Sequence, residues 1–193
     1  MKIYYTTSVG TDEEQKNAKL SLGGFRSSSV VPNLRIGNLF GDISEYTIQI
    51  DRDQYIALMI RNETEADITN LKLHFEYPID DEDNNISDTL FKIGAVEPGD
   101  VDGEEYIERL QDFYSAPYSV DFHEADGIAN QVLLGDLANN TSFGLFFCRS
   151  LKKDKILEDY QNMIEKDEPD NSNIYRQNEL PTKDEIKIVL NWD

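Results

Sequence analysis

The sequence predicts a mainly β protein, an antiparallel β-sandwich of many short strands. Apolar and polar residues alternate in short runs, which is how half-buried strands are written. Turn-forming residues bound nearly every run. The 193 residues, 39% of them hydrophobic and 10% aromatic, supply enough apolar surface for a packed core, so residues 1–193 read as one elaborated domain.

Ile3 and Tyr5 open the first run, and Tyr46, Ile48 and Ile50 form a second. Tyr55 to Ile60 is almost continuously apolar and therefore reads as a central strand. The turn Arg61 to Asp67 leads into Ile68 to Tyr77, where Leu71, Leu73, Phe75 and Tyr77 share one face while Lys72, His74 and Glu76 share the other. These two strands are expected to form a hairpin. Further strands are expected at Thr89 to Ala95, Tyr118 to Phe122, Gln131 to Leu134, Ser142 to Arg149 and Glu185 to Trp192.

Two peripheral helices are expected. One is at 104–114, where Ile107, Leu110, Phe113 and Tyr114 recur at helical spacing; the other is at 153–166, with Ile156, Leu157, Tyr160, Met163 and Ile164 in the same pattern and Asp154 as a cap. A polar stretch and Pro181 then make 152–182 a helical insertion before the last strand. Between Leu20 and Ser44 the turn residues are too dense for long elements, so 20–44 reads as an extended arm or meandering strand.

Lys and Arg number 18 against 38 Asp and Glu, a formal charge of −20. Such a surface repels DNA, RNA and anionic lipid, so neither nucleic acid nor membrane is expected as a partner. The N-terminus lacks the apolar core of a signal peptide, and no stretch approaches the ~18 apolar residues of a membrane span, which suggests synthesis in a cytoplasm. The Asn-x-Ser/Thr triplets at Asn62, Asn85, Asn139 and Asn140 then read as polar turns.

Catalytic, cofactor-binding and metal residues are all expected to be none. Cys148 is the only cysteine and follows Phe146 and Phe147 in an apolar run, so it reads as a small buried hydrophobe, with Arg149 on the opposite face. His74 reads as a residue of a polar strand face, and His123 as part of a turn after a strand, although Glu124 beside it could tune an imidazole for base chemistry. Acidic residues crowd 80–112. Asp81, Asp83 and Asn85 match the first ligand positions of a calcium loop, but Ile86 stands where glycine is needed and Lys92 where the bidentate glutamate belongs. A solvated acidic loop is the simpler reading, and a looser divalent-cation site stays open. No phosphate-binding glycine loop or nucleophile elbow occurs.

Three stretches, in order, carry a resemblance. The first is Ser21-Leu22-Gly23-Gly24-Phe25-Arg26-Ser27-Ser28 with Asn38-Leu39-Phe40-Gly41-Asp42-Ile43-Ser44. The second is Tyr55-Ile56-Ala57-Leu58-Met59-Ile60-Arg61-Asn62 with Asn70-Leu71-Lys72-Leu73. The third is Ala116-Pro117-Tyr118-Ser119-Val120-Asp121-Phe122, then Leu134-Gly135-Asp136-Leu137, then Gly144-Leu145-Phe146-Phe147-Cys148-Arg149. Together they resemble tailed-bacteriophage virion structural proteins of the immunoglobulin-like β-sandwich type. The pattern departs at Asn139-Asn140, where that family has Pro-Gly, and in the 152–182 extension.

The resemblance implies a non-enzymatic, multi-copy subunit of the head-tail connector or neck ring, or of the tail, or a capsid auxiliary protein. It would be made in the host bacterial cytoplasm and located in the virion. Its partners would be other copies of itself and neighbouring portal, connector, tail or capsid subunits. Two other classes remain open: a receptor- or glycan-binding module using Tyr106, Tyr114 and Tyr118, and an acidic DNA-mimic inhibitor for which charge is the only support.

Overall fold

The computed structural model describes residues 1–32, 37–41, 45–76, 89–152, 154 and 187–193. The strands are β1 (Lys2–Thr7), β2 (Gly24–Val30), β3 (Gln54–Arg61), β4 (Ile68–Glu76), β5 (Thr89–Val96), β6 (Gly99–Val101), β7 (Glu104–Ile107), β8 (His123–Glu124), β9 (Val132–Leu137), β10 (Ser142–Leu151) and β11 (Lys187–Asn191). Among the described residues they form an eight-stranded sheet, ordered β6-β7-β2-β1-β3-β10-β5-β8, and a three-stranded sheet, β11-β4-β9. Every strand pairing within the two sheets is antiparallel.

Alternation explains where the core lies. In β3, Ile56, Leu58 and Ile60 face the three-stranded sheet and meet Leu71, Leu73 and Phe75 of β4, with Phe91, Leu145 and Phe147 completing the layer. Ala57 and Met59 point the other way and are equally buried, against Ile107, Leu110 and Phe146. Burial on both faces is what the continuous apolar run of β3 signals, and β3 does lie inside its sheet, between β1 and β10.

The second apolar layer exists because the large sheet rolls over. Only Glu97 and Pro98 separate the end of β5 from the start of β6, a span of at most about 11 Å. In a flat sheet those strands, six places apart in the order, would be about 29 Å apart. The β6–β7 ribbon therefore folds back across the outer face of β10 and β5. Gly144 makes room for it: a methyl group there would lie 2.5 Å from Ile107 Cγ2 and 2.8 Å from Val96 Cγ2. Glu105 of β7 fastens the closure, accepting hydrogen bonds from the backbone N–H of Ser142 (2.9 Å) and from Arg61 (3.0 Å).

Several expectations need correction. Residues 104–114 are not helical: Glu104–Ile107 is strand β7, and Asp112 ends the segment in a turn, its Oδ1 accepting from the N–H of Tyr114 and the hydroxyl of Ser115. Ile107 and Leu110 share one apolar layer as neighbours along an irregular strap, which imitates helical spacing. The opposite error occurs at Tyr46, Ile48 and Ile50, which belong to a short helix, α2 (Glu45–Ile50), after the single turn α1 (Gly37–Phe40). Of 118–122 none is strand; pairing begins at His123.

Nor do β3 and β4 form a hairpin, for they lie in different sheets. Asn62 turns the chain between them. Fully buried, its Nδ2 donates to the carbonyls of Ala66 (2.8 Å) and Leu137 (3.0 Å), while its Oδ1 accepts from the N–H and hydroxyl of Thr64. The segment 20–44 is expected as an extended arm or a meandering strand; in its described part, β2 is a strand inserted between β1 and β7 rather than an arm. The expected helix at 153–166, nearly all of the insertion 152–182 and the acidic loop with Asp81, Asp83, Asn85 and Ile86 lie outside the described residues. β1, β5, β9, β10 and β11 stand within a few residues of their expected positions.

Candidate functional site

A shallow groove lies where the chain leaves the large sheet and enters the small one. β8 ends the large sheet's order beside β5, with His123 opposite Ile93 and Glu124 opposite Lys92. The chain then crosses to β4, where the Phe75 N–H donates to Ala125 O (2.7 Å) and the Gly127 N–H donates to Phe75 O (3.0 Å). A single 3₁₀ turn (Ile128–Asn130) follows, and β9 runs out along the far side of β4. The groove, of about 590 Å³, lies between β8 and β9 and is bordered by His123, Glu124, Asp126, Gln131, Val132 and Leu133.

Local hydrogen bonds stiffen this border. Asn130 Nδ2 donates to Asp126 O (3.2 Å) and Gln131 Nε2 donates to Ile128 O (3.0 Å), so both amides serve the turn itself. Glu124 and Asp126 remain exposed, and among the described residues their carboxylates make neither a hydrogen bond nor an ion pair. Ile128 and Leu133 are 68% and 60% exposed, which gives the groove apolar and anionic character together. β9 is an end strand of its sheet, and no described strand pairs with its outer edge.

The residues with chemical potential are not gathered here. His123 is exposed on the groove's rim. His74, expected on a polar strand face, is instead 2% exposed; its Nδ1 lies 3.5 Å from Asn191 Nδ2 and its Nε2 is 3.8 Å from Glu76. Cys148 is buried on β10, and burial, with the nearby Asp53 carboxylate adding to it, pushes its thiol up to about 11. A thiol held protonated in this way is a poor nucleophile. Among the described residues no three His, Cys, Asp or Glu side chains are grouped to hold a metal ion, and no helix is long and apolar enough to cross a membrane.

The three tyrosines considered for ligand binding are dispersed in role. Tyr106 stacks edge-on against Phe25 at 5.0 Å, Tyr114 lies beneath Arg52 at 5.3 Å, and Tyr118 alone stands free, 93% exposed. Of the Asn-x-Ser/Thr triplets, Asn62 is the buried corner described above. Asn140 takes a left-handed turn conformation and donates its N–H to Asn62 O at 2.8 Å, Asn139 donates its N–H to Asp67 Oδ1, also at 2.8 Å, and Asn85 lies outside the described residues.

Arg149, which the sequence places only on the face opposite Cys148, is wholly buried. Its Nε donates to Gln54 Oε1 (2.7 Å), one terminal nitrogen donates to Gly41 O (2.8 Å), and its guanidinium lies 5.0 Å from the centre of the Phe40 ring. It thus pins the end of α1 onto β10. Its only sequence signal is an Arg continuing an apolar strand.

Comparison with protein families, curated proteins and solved structures returns no match. The likeness to virion proteins therefore stands on the residues quoted for it.

Proposed function

We propose that the chain is a non-enzymatic structural subunit of a tailed-bacteriophage virion, used in several copies in the head-tail connector, neck ring or tail, or as a capsid auxiliary protein. The observation that carries this reading is the open margin of a mainly β, antiparallel two-sheet core: β9 and β6 each present an edge with no described strand beside it. Edges of this kind are joined by strands of neighbouring subunits in assemblies. The same reading takes the core as an immunoglobulin-like one elaborated by the β6–β7 ribbon. The charge of −20 supports it in a second way, by keeping unassembled subunits apart in solution.

Under this reading, the segments that resemble virion proteins serve as joints of the fold. Ser21-Leu22-Gly23-Gly24 locks β2 to β1 and β3, and Gly144 to Arg149 is the strand on which both apolar layers rest. Immunogold electron microscopy of gradient-purified particles, with antibody raised against this chain, tests the proposal. Label at a fixed position on the particle is the expected result. Unlabelled particles, with the chain recovered only in the soluble lysate, would contradict it.

A further inference from the structure

We propose that the groove between β8 and β9 is a docking site for an extended, basic segment of a neighbouring protein, which adds as a further strand on the outer edge of β9. Three independent features point to this occupant. Backbone comes first: β9 ends its sheet, so among the described residues the peptide groups along its outer edge meet no partner strand.

Side chains supply the second feature. Leu133 is on the strand itself and Ile128 on the turn before it; both are exposed, and apolar side chains at an open edge are the pockets by which added strands are selected. Charge is the third. Glu124, on β8, and Asp126, at the start of the braced turn, border the same groove without ion partners among the described residues, so lysine or arginine on the incoming segment would find two unpaired anions there.

A second copy of the chain fits less well. Of the other end strands, β6 runs through Asp100 and is followed by Asp102, Glu104 and Glu105, and the two-residue β8 carries Glu124, so pairing either with β9 would bring like charges together, while β11 (Lys187–Asn191) offers a single lysine. The register irregularity around Leu71 and Gly135 disturbs the far half of β9. Strand addition is thereby confined to the end nearest the groove, residues 131–134.

The inference rests on the assembly reading only for the source of the segment; the edge and its preference for basic chains are properties of this protein alone. The test uses the full chain with two fluorescent peptides, one alternating valine and lysine and the other valine and glutamate. Binding is read by anisotropy and by amide hydrogen exchange. The expected result is that the lysine peptide binds at least about tenfold more tightly than the glutamate peptide and slows exchange at 131–134. Glu124→Lys with Asp126→Lys should weaken it by about tenfold, and Leu133→Asn, which removes the apolar contact without adding charge, by a similar factor, with thermal unfolding unchanged at these exposed positions.

Absence of protection at 131–134 in the wild-type protein, or lysine-peptide binding that the double substitution leaves intact, would overturn the inference. The wild-type exchange measurement decides the matter even if a variant fails to fold. Particles that carry the chain although its β9 edge binds nothing would refute this inference alone; a peptide-binding β9 edge on a chain absent from particles would refute only the virion reading.

Discussion

At the joint between β1, β2 and β3, individual atoms decide where a whole strand lies. Ser21 Oγ donates to Ala57 O at 2.6 Å, Ala57 N–H donates to Ser21 O at 2.8 Å, and Thr6 Oγ1 accepts the N–H of Gly23 at 2.8 Å, so a buried polar knot replaces the end of the β1–β3 ladder. Gly23 and Gly24 take φ of +91° and +101°, and a methyl group would fall 2.0 Å from Glu108 O at the first and 2.4 Å from Thr7 O at the second. Gly23→Ala and Gly24→Ala should each destabilise by about 2–4 kcal/mol in urea unfolding. Arg149→Ala should cost about 3–5 kcal/mol, because Gln54 and the Gly41 carbonyl would lose a buried partner. His74→Ala should cost about 1–3 kcal/mol, since the imidazole is buried, whereas His123→Ala on the rim should cost no more than about 0.5 kcal/mol.

Glu63 links residue chemistry to pH. Its carboxylate pairs with Lys2 Nζ at 2.7 Å and accepts from the Tyr4 hydroxyl, and these partners, Lys2 foremost, hold it below the usual carboxylate range. A depressed folded value means the stabilisation is complete above the unfolded glutamate value of about 4.3 and is lost as pH falls through the folded one. Glu63→Gln should therefore flatten the acid limb of a stability-against-pH curve and leave the slope between pH 6 and 8 alone. An unchanged acid limb would show that Glu63 is not a linked group.

At the scale of elements, β2 is the strand on which the rolled sheet turns. It pairs with β1 on one side and with β7 on the other, so deleting Gly24–Val30 should abolish cooperative unfolding altogether. A deletion variant with a sharp thermal transition would contradict this. Alternation made β1, β5, β9 and β11 legible because each buries a face against the inter-sheet core, and the continuous apolar runs of β3 and β10 were legible because both of their faces are buried. The β6–β7 hairpin was also written in the sequence: Val101 pairs with Glu104 across Asp102-Gly103, both at positive φ (56° and 85°), which is the two-residue hairpin turn that Asp-Gly favours. Helical spacing of Ile107, Leu110 and Phe113 hid it, although Ile107 and Leu110 pack into the outer apolar layer and Phe113 against the inter-sheet core. The β3–β4 crossover was illegible for another reason: a polar turn after a strand does not reveal whether the next strand joins the same sheet. Here Asn62 decides, through partners at Ala66 and Leu137 that only the folded chain brings near it. The groove is partly legible, since His123, Glu124 and Asp126 stand together in the sequence, but the open β9 edge beside them arises from two sheets meeting and has no local signature.

For the whole molecule, a charge of −20 opposes compaction. Screening should relieve that repulsion, so raising sodium chloride from about 0.02 to 0.3 M should raise the melting temperature, as followed by circular dichroism. A falling melting temperature would mean that attractive pairs such as Lys2–Glu63 and Arg61–Glu105 outweigh the repulsion. The same charge, together with open margins on an otherwise well-buried two-sheet core, suits a subunit that stays dispersed until it meets its neighbours. Cryo-electron microscopy of purified phage particles tests that claim most directly. The result predicted is density for this fold in symmetry-related copies at one level of the particle, with a strand of a neighbouring protein along β9. A complete reconstruction in which every structural protein is assigned and this chain is absent would contradict it.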